Sequence, residues 1–399
     1  MESKRKIKLL RFQSLFEPRG YKIAHLLAKE PILKVTGLVY SQLLYSPLYS
    51  VYQNDYSRIG PPTLDGRNEI VKKIDLLIDQ INYSFWPFNN ILGNKIARFS
   101  EKGKIELIHS AGWPDIFGLL CKEHSSLPVV HEIYDLYSLT DDAFRIDPGY
   151  RYSNNPFLNI IHNRFKEKAL SWERDVHKKC DAIIYTSEEM MKHSRNRYGS
   201  FKSIVIPNGV LREFLPSERK EKLSRKDGLI HCVYVGMIST SEKHRQIFTQ
   251  MKQIASSKEI VLHIYPVTRD LDYLITIRER FKSLTNVIIH DPLHYKELYE
   301  EITQYDLGLI ILKNVNEQLL NTALPNKIFE YVAAGLPVAI PDYESLRNFI
   351  SHYNCGFIVH DWGKDIVENA NEIREIPFCE DFTIDHYMPR LLSLYEQLI

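Results

Sequence analysis

Short apolar runs recur along this chain, with helix-like stretches between them. Runs at 7–12, 34–40, 105–109, 128–133, 182–186 and 203–206 are bounded by Gly, Pro, Asn or charged residues and have the length of buried strands. Between them, 21–29, 69–81, 89–102, 115–123, 157–179 and 188–198 place apolar residues at helical spacing. Residues 40–68 break the rhythm: Tyr, Ser, Pro and Gly dominate without a period, which predicts irregular structure. After a charged, core-poor stretch at 212–228, a second series predicts strands at 231–235, 260–265, 287–290, 307–312, 337–340 and 356–359. Its helices are predicted at 243–255, 271–281, 295–304 and 344–351, and the final segment 384–399 is again apolar at helical spacing. This alternation means βαβ units and parallel sheets, an α/β chain in two domains, 1–210 and 211–383.

Composition narrows the classes. At 399 residues the chain exceeds one ordinary core. Lys+Arg 51 against Asp+Glu 50 leaves a net charge of +1, so no global field draws it to nucleic acid. Cys121, Cys180, Cys232, Cys355 and Cys379 are scattered and lack CxxC spacing, which argues for a reducing compartment and against a zinc site or disulfide framework. No stretch approaches the roughly 20 apolar residues of a membrane span, and the opening residues lack the apolar run of a signal peptide. The expectation is a cytoplasmic protein. Peripheral attachment at the cytoplasmic face of a membrane is considered for the basic stretch 163–179, where Glu167, Glu173 and Asp175 interrupt the charge as on a solvated helix face.

The most informative chemistry lies in 321–338, NTALPNKIFEYVAAGLPV. It reads as a polar loop, a helix opening near Asn326, a stop at Gly335 and a buried strand. With no long amphipathic stripe, packing alone does not explain that helix. Its first turn offers backbone N–H groups and the positive dipole end, and Lys327 adds a full charge. Glu330 lies one turn on from Asn326, on roughly the same side. Amides for a diphosphate and a carboxylate for ribose hydroxyls suit a sugar nucleotide; an ordinary αβ unit with a glycine stop is the plain alternative.

This stretch resembles the donor-site signature of retaining glycosyltransferases of family 4, whose GT-B fold sets two Rossmann-like doubly wound parallel-sheet domains facing a central cleft. That family carries a pair of glutamates; here the second is Glu330, while Thr322 occupies the first position. The resemblance implies a ribose contact at Glu330 and a donor site that includes Thr322, Leu324, Pro325, Asn326 and Lys327. Residues 181–188 and 205–210 resemble further family segments, although Asn208-Gly209 also reads as a plain turn. The segment 233–245 resembles the strand, glycine turn and basic residues that open the donor domain. There Met237 stands where the family places an arginine after Gly236, leaving Lys243 and Arg245 as the implied phosphate contacts. The ending 384–399 resembles the family's last helix, which returns to the first domain.

In the first domain, Arg19 and Gly20 follow the first strand, where the family has a loop facing acceptor and phosphates. His109, His131, Glu132 and Asp135 sit near the ends of two strands. Alternation puts His131 and Glu132 on opposite faces, and which of the four points inward stays open. Asp135 is preferred as the catalytic acid, with Glu132 and His109 as the other candidates. Asp270 and Asp272 read as helix-start acids rather than metal ligands.

The resemblance implies a metal-independent, retaining glycosyltransferase without a cofactor. It would take a UDP- or GDP-sugar and a glycan or lipid-linked acceptor, in polysaccharide or glycoconjugate biosynthesis. The rivals are a sugar-nucleotide 2-epimerase of the same fold and an inactive GT-B scaffold subunit.

Overall fold

The computed structural model describes residues 6–13, 18–39, 57–58, 86–112, 115–139, 156–238, 247–267, 271–293, 295–313 and 316–399. These divide into two compact units. One holds the described residues up to 139 with 156–207 and 387–399; the other holds 208–386.

The first unit is built on a seven-stranded sheet of β1 (Ile7–Gln13), β2 (Leu33–Val39), β3 (Ser57–Arg58), β4 (Leu107–Ala111), β5 (Val129–Glu132), β6 (Ala182–Tyr185) and β7 (Ser203–Val205). Their order is β3-β2-β1-β4-β5-β6-β7, and every pairing is parallel. Strand order reverses between β1 and β4, the place where sheets of this kind bind ligands beyond the strands' C-terminal ends. β4, β5 and β6 are buried along their whole length, as expected of parallel strands covered on both faces.

Helices Pro18–Lys29, Trp86–Gly103, Ile116–His124, Pro156–Lys179 and Glu188–Tyr198 connect these strands, and Met388–Glu396 closes the unit. The Pro156–Lys179 helix buries Phe165, Ala169, Trp172 and Val176 one turn apart. Its basic side chains lie on the solvated side, with Lys179 paired to Glu123 and Arg174 to Asp175. No helix among the described residues is long and apolar enough to cross a membrane. The helix predicted at 69–81 and the irregular region at 40–68 lie outside the described residues, apart from β3.

The second unit carries β8 (Ile230–Met237), β9 (Ile260–Val267), β10 (Val287–Ile289), β11 (Leu307–Leu309), β12 (Val338–Ile340) and β13 (Gly356–Ile358). Their order is β10-β9-β8-β11-β12-β13, again all parallel, with the reversal between β8 and β11. Alternation along β8 feeds two cores: Val233 and Val235 pack with Ile328, Tyr331 and Ile340, while Cys232 and Tyr234 pack with Leu262, Leu309 and Ala339.

The stretch 208–210 does more than turn the chain. The chain beside Gly209 pairs with 382–384: the Val210 amide donates to the Phe382 carbonyl, and the Val210 carbonyl accepts from the Ile384 amide, both at 3.0 Å. A Cβ on Gly209 would meet the Ile384 nitrogen at 2.6 Å, so close backbone approach, rather than positive φ, requires the glycine.

Candidate active site

In the second unit the helix Asn326–Ala333 begins after Pro325, whose extended backbone (φ −70°, ψ 150°) offers no side-chain cap. The proline side chain brings no acceptor, so the first-turn amides lack a side-chain cap, although the Ile328 amide donates to the Pro325 carbonyl at 3.2 Å. Ile328 to Ala333 are all buried, so packing does account for the helix beyond its first turn, contrary to the expectation from its pattern. Asn326 and Lys327 stay half-buried, and among the described residues the Asn326 Oδ1 has no hydrogen-bond partner.

Lys327 crosses to the end of β8. Its ammonium lies 4.1 Å from the centre of the Tyr234 ring, a cation–π contact. A Cβ on Gly236 would come within 2.9 Å of that same Nζ, and Gly236 holds φ +138°, which side-chain-bearing residues rarely adopt. Tyr234 is fixed in turn by donating its hydroxyl to the Met237 carbonyl at 2.9 Å. The Val235 amide donates to the Tyr331 hydroxyl at 2.8 Å, tying the strand end to the same helix. Glu330 is 6% exposed, with the Tyr299 hydroxyl 3.5 Å from its Oε1.

The loop before the helix is pinned from three sides. Asn208 donates to the Leu324 carbonyl at 2.8 Å, Ser345 to the Ala323 carbonyl at 2.6 Å, and the Glu344 amide to Asn321 Oδ1 at 2.9 Å. Thr322 is buried and donates its hydroxyl to the Leu319 carbonyl at 2.9 Å. The structure therefore brings together Gly236, Asn326, Lys327 and Glu330 and sets Leu324 and Pro325 at their entrance. Lys243, Arg245 and Asp270 lie outside the described residues, as does the Asp272 side chain.

In the first unit the candidates separate by face, as alternation requires. Ser110 and His131 meet on one side, with His131 Nδ1 2.9 Å from Ser110 Oγ and Nε2 3.2 Å from Asp115 Oδ1. Arg11, His109 and Glu132 meet on the other, all fully buried. Arg11 reaches Glu132 Oε2 at 2.9 Å, and Arg19 reaches Oε1 at 2.6 Å while donating also to the carbonyls of Ile206 and Pro207.

Burial alone would raise the Glu132 pKa, but the two guanidiniums outweigh it and hold the carboxyl well below the usual range. His109 is lowered to about 3, first by burial and then by Arg11, against the opposing hydrogen bond to Glu132. Both groups are thus occupied inside the protein, one ionised and one neutral. Arg19 spends its guanidinium in the same cluster, and Gly20 is buried beside it in the helix. Asp135 is exposed in the bend after β5.

Sequence reasoning missed Arg11, Tyr234 and Tyr299, and read Asn208 as part of a turn rather than as the partner of the Leu324 carbonyl. Arg11 did carry a signal: a charge in the middle of an apolar strand needs a buried counter-charge.

A second titratable chain crosses the β8–β10 side of the second sheet. His231 Nδ1 lies 2.9 Å from His263 Nε2, and His263 Nδ1 lies 3.0 Å from His290 Nε2. The other nitrogen of His231 faces Asp227 at 3.1 Å. Each of the two links uses a different nitrogen of His263, so the rings form a hydrogen-bonded ladder rather than a cage around one point. Among the described residues no group of three or more His, Cys, Asp or Glu is placed to hold a metal ion.

Residues 58–214 match the profile of Glycosyltransferase Family 4. A search of curated proteins found no match. Among solved structures, sucrose-phosphate synthase from Thermosynechococcus elongatus superposes with a TM-score of 0.64 at 11% identity, covering 98% of this chain and 99% of that one. HepE from Anabaena, in complex with UDP and glucose, gives 0.64 at 13% identity, covering 98% and 100%. The UDP-GlcNAc 2-epimerase of Neisseria meningitidis, bound to UDP-GlcNAc, gives 0.57 at 12% identity, covering 98% and 100%. At these identities the likeness establishes the fold, two Rossmann-like parallel-sheet units of the GT-B type.

Proposed function

We propose that this chain is a glycosyltransferase that moves a sugar from a UDP- or GDP-sugar to a glycan or lipid-linked acceptor in the cytoplasm. Transfer retains the anomeric configuration and uses no metal ion. The observation that carries this reading is the meeting of the Lys327 ammonium, the uncapped entrance of the Asn326–Ala333 helix and Gly236 at the end of β8. These sit at the reversal of strand order, where α/β sheets take phosphate-bearing ligands. The match of 58–214 to a glycosyltransferase profile and the UDP and glucose in the HepE structure support it.

The donor diphosphate would lie against the first-turn amides and Lys327, with Glu330 accepting from the ribose hydroxyls. A helix terminus stabilises an anion by at most about 2 kcal/mol, and a charge-assisted bond from Lys327 adds about 1.5–3 kcal/mol. Both grow as the leaving diphosphate gains charge, which is the condition for accelerating the reaction. Lys243 and Arg245 would add further cations. Glu132 and His109 are occupied internally, and the exposed Asp135 would contact the acceptor.

Calorimetry of UDP- and GDP-sugars against Glu330→Ala and Lys327→Gln tests the assignment: both should weaken donor binding at unchanged fold. Wild-type affinity in both variants would sink it. The likeness to the Neisseria epimerase favours a second reading, which NMR of UDP-GlcNAc incubated without acceptor decides. Inversion at C2 would establish the epimerase instead.

A further inference from the structure

The register of the first sheet gathers lysines at the opposite end of its strands. Lys8 on β1 stands beside Lys34 on β2, and on its other side the Glu106 amide donates to the Lys8 carbonyl at 2.8 Å. Lys6 immediately precedes β1, and Lys104 follows the helix Trp86–Gly103, two residues before Glu106. Together Lys6, Lys8, Lys34, Lys104, Ile105 and Glu106 line a cavity of about 570 Å³. Four lysines thus share this cavity with one carboxylate, whose Oε2 already accepts from the Lys8 amide at 3.0 Å. Among the described residues none of the four lysines forms an ion pair.

Two features make this more than a solvated strand end. Lys8 and Lys34 are directly opposed like charges on one sheet face, an arrangement that costs stability without a counter-ion. Lysines often guard exposed sheet edges, but β1 has strands on both sides and presents no edge. Independently, Lys104 holds φ +50°, a left-handed backbone suited to glycine or asparagine at a helix end. The helix Trp86–Gly103 closes there through Lys104 N to the Glu101 carbonyl at 3.0 Å and Ile105 N to the Ser100 carbonyl at 3.0 Å. A lysine therefore occupies a strained position from which its amine lines the cavity.

We propose that this N-terminal end of the first sheet binds a phosphate-bearing polyanion. Lysine ammoniums suit such a ligand because they act as compact point charges without the planar geometry that a carboxylate demands. The site is distinct from the donor site, which lies in the second unit and at the C-terminal ends of its strands.

The test is calorimetric titration of the full chain with sodium tripolyphosphate at fixed ionic strength, alongside sedimentation with phosphatidylglycerol–phosphatidylcholine vesicles. Saturable binding of tripolyphosphate marks a free anion as the ligand; binding to vesicles alone marks a lipid headgroup. In either arm, with excess UDP and GDP present to fill the donor site, Lys8→Gln/Lys34→Gln should weaken binding at least about tenfold, and Lys282→Gln, at an exposed lysine of the second unit, should leave it unchanged. Lys104→Gly guards against misfolding of the double variant, since it removes an amine while relieving the backbone: binding falls and thermal stability holds or rises. Binding that survives the cluster variants, or that is lost equally in Lys282→Gln, overturns the proposal. So does the absence of binding to both probes.

Discussion

The Tyr395 hydroxyl lies 2.6 Å from His109 Nδ1, with both side chains fully buried. His109 Nε2 faces Glu132 Oε2 at 3.3 Å, so that nitrogen carries the proton and Nδ1 accepts from Tyr395. One hydrogen bond thus fixes the tautomer and joins the closing helix to β4. Tyr395→Phe leaves a buried acceptor unpaired and should cost about 1–3 kcal/mol in urea unfolding. A loss within error would mean that the helix is held by packing alone.

Glu132 compensates two buried guanidiniums, Arg11 at 2.9 Å and Arg19 at 2.6 Å. Glu132→Gln keeps the shape and removes the charge, and should destabilise the protein by about 3–5 kcal/mol. Adding Arg11→Met removes one stranded cation and should restore part of that loss. If the single variant unfolds like the wild type while sugar transfer stops, Glu132 is a catalytic group after all.

Gly236→Ala places a methyl group within 2.9 Å of Lys327 Nζ at a backbone angle of +138°. The backbone strain alone is worth roughly 1–3 kcal/mol. If the ammonium is displaced from the Tyr234 face, donor affinity should fall by about tenfold or more. Equal donor binding by calorimetry would show that Lys327 does not act from this position.

Acid should unfold the protein through its histidines. Burial lowers His263 and His109 to about 3, against an unfolded value near 6.5, helped at His263 by His290 and His231 and at His109 by Arg11. Between those values the unfolded chain binds more protons, so stability is complete above about pH 6.5 and declines as pH falls toward 3. The midpoint of thermal unfolding should follow that decline, and His263→Gln should make it shallower. A midpoint constant from pH 7 to about 4 contradicts the linkage.

Local pattern made much of the fold legible. Apolar runs marked the strands, and the spacing from Asn326 to Glu330 placed one helix entrance and one carboxylate on neighbouring turns. Relationships set by register were not legible. Arg11 and Glu132 are 121 residues apart, and the histidine ladder joins positions 32 and 27 apart. The lysines around Glu106 come together only because β1 runs between β2 and β4. Arg19 drew notice for its place after the first strand, yet its geometry serves the Glu132 cluster. Thr322 matched a motif position, but its hydroxyl turns back onto the Leu319 carbonyl.

The closing helix belongs to the first unit, although the whole second unit precedes it in the chain. On the ribosome the second unit can therefore finish while the first still waits for its last turn. Until translation passes Tyr395, His109 lacks the phenol that caps it, and a nascent chain stalled before that residue would display an incomplete first unit to chaperones and proteases.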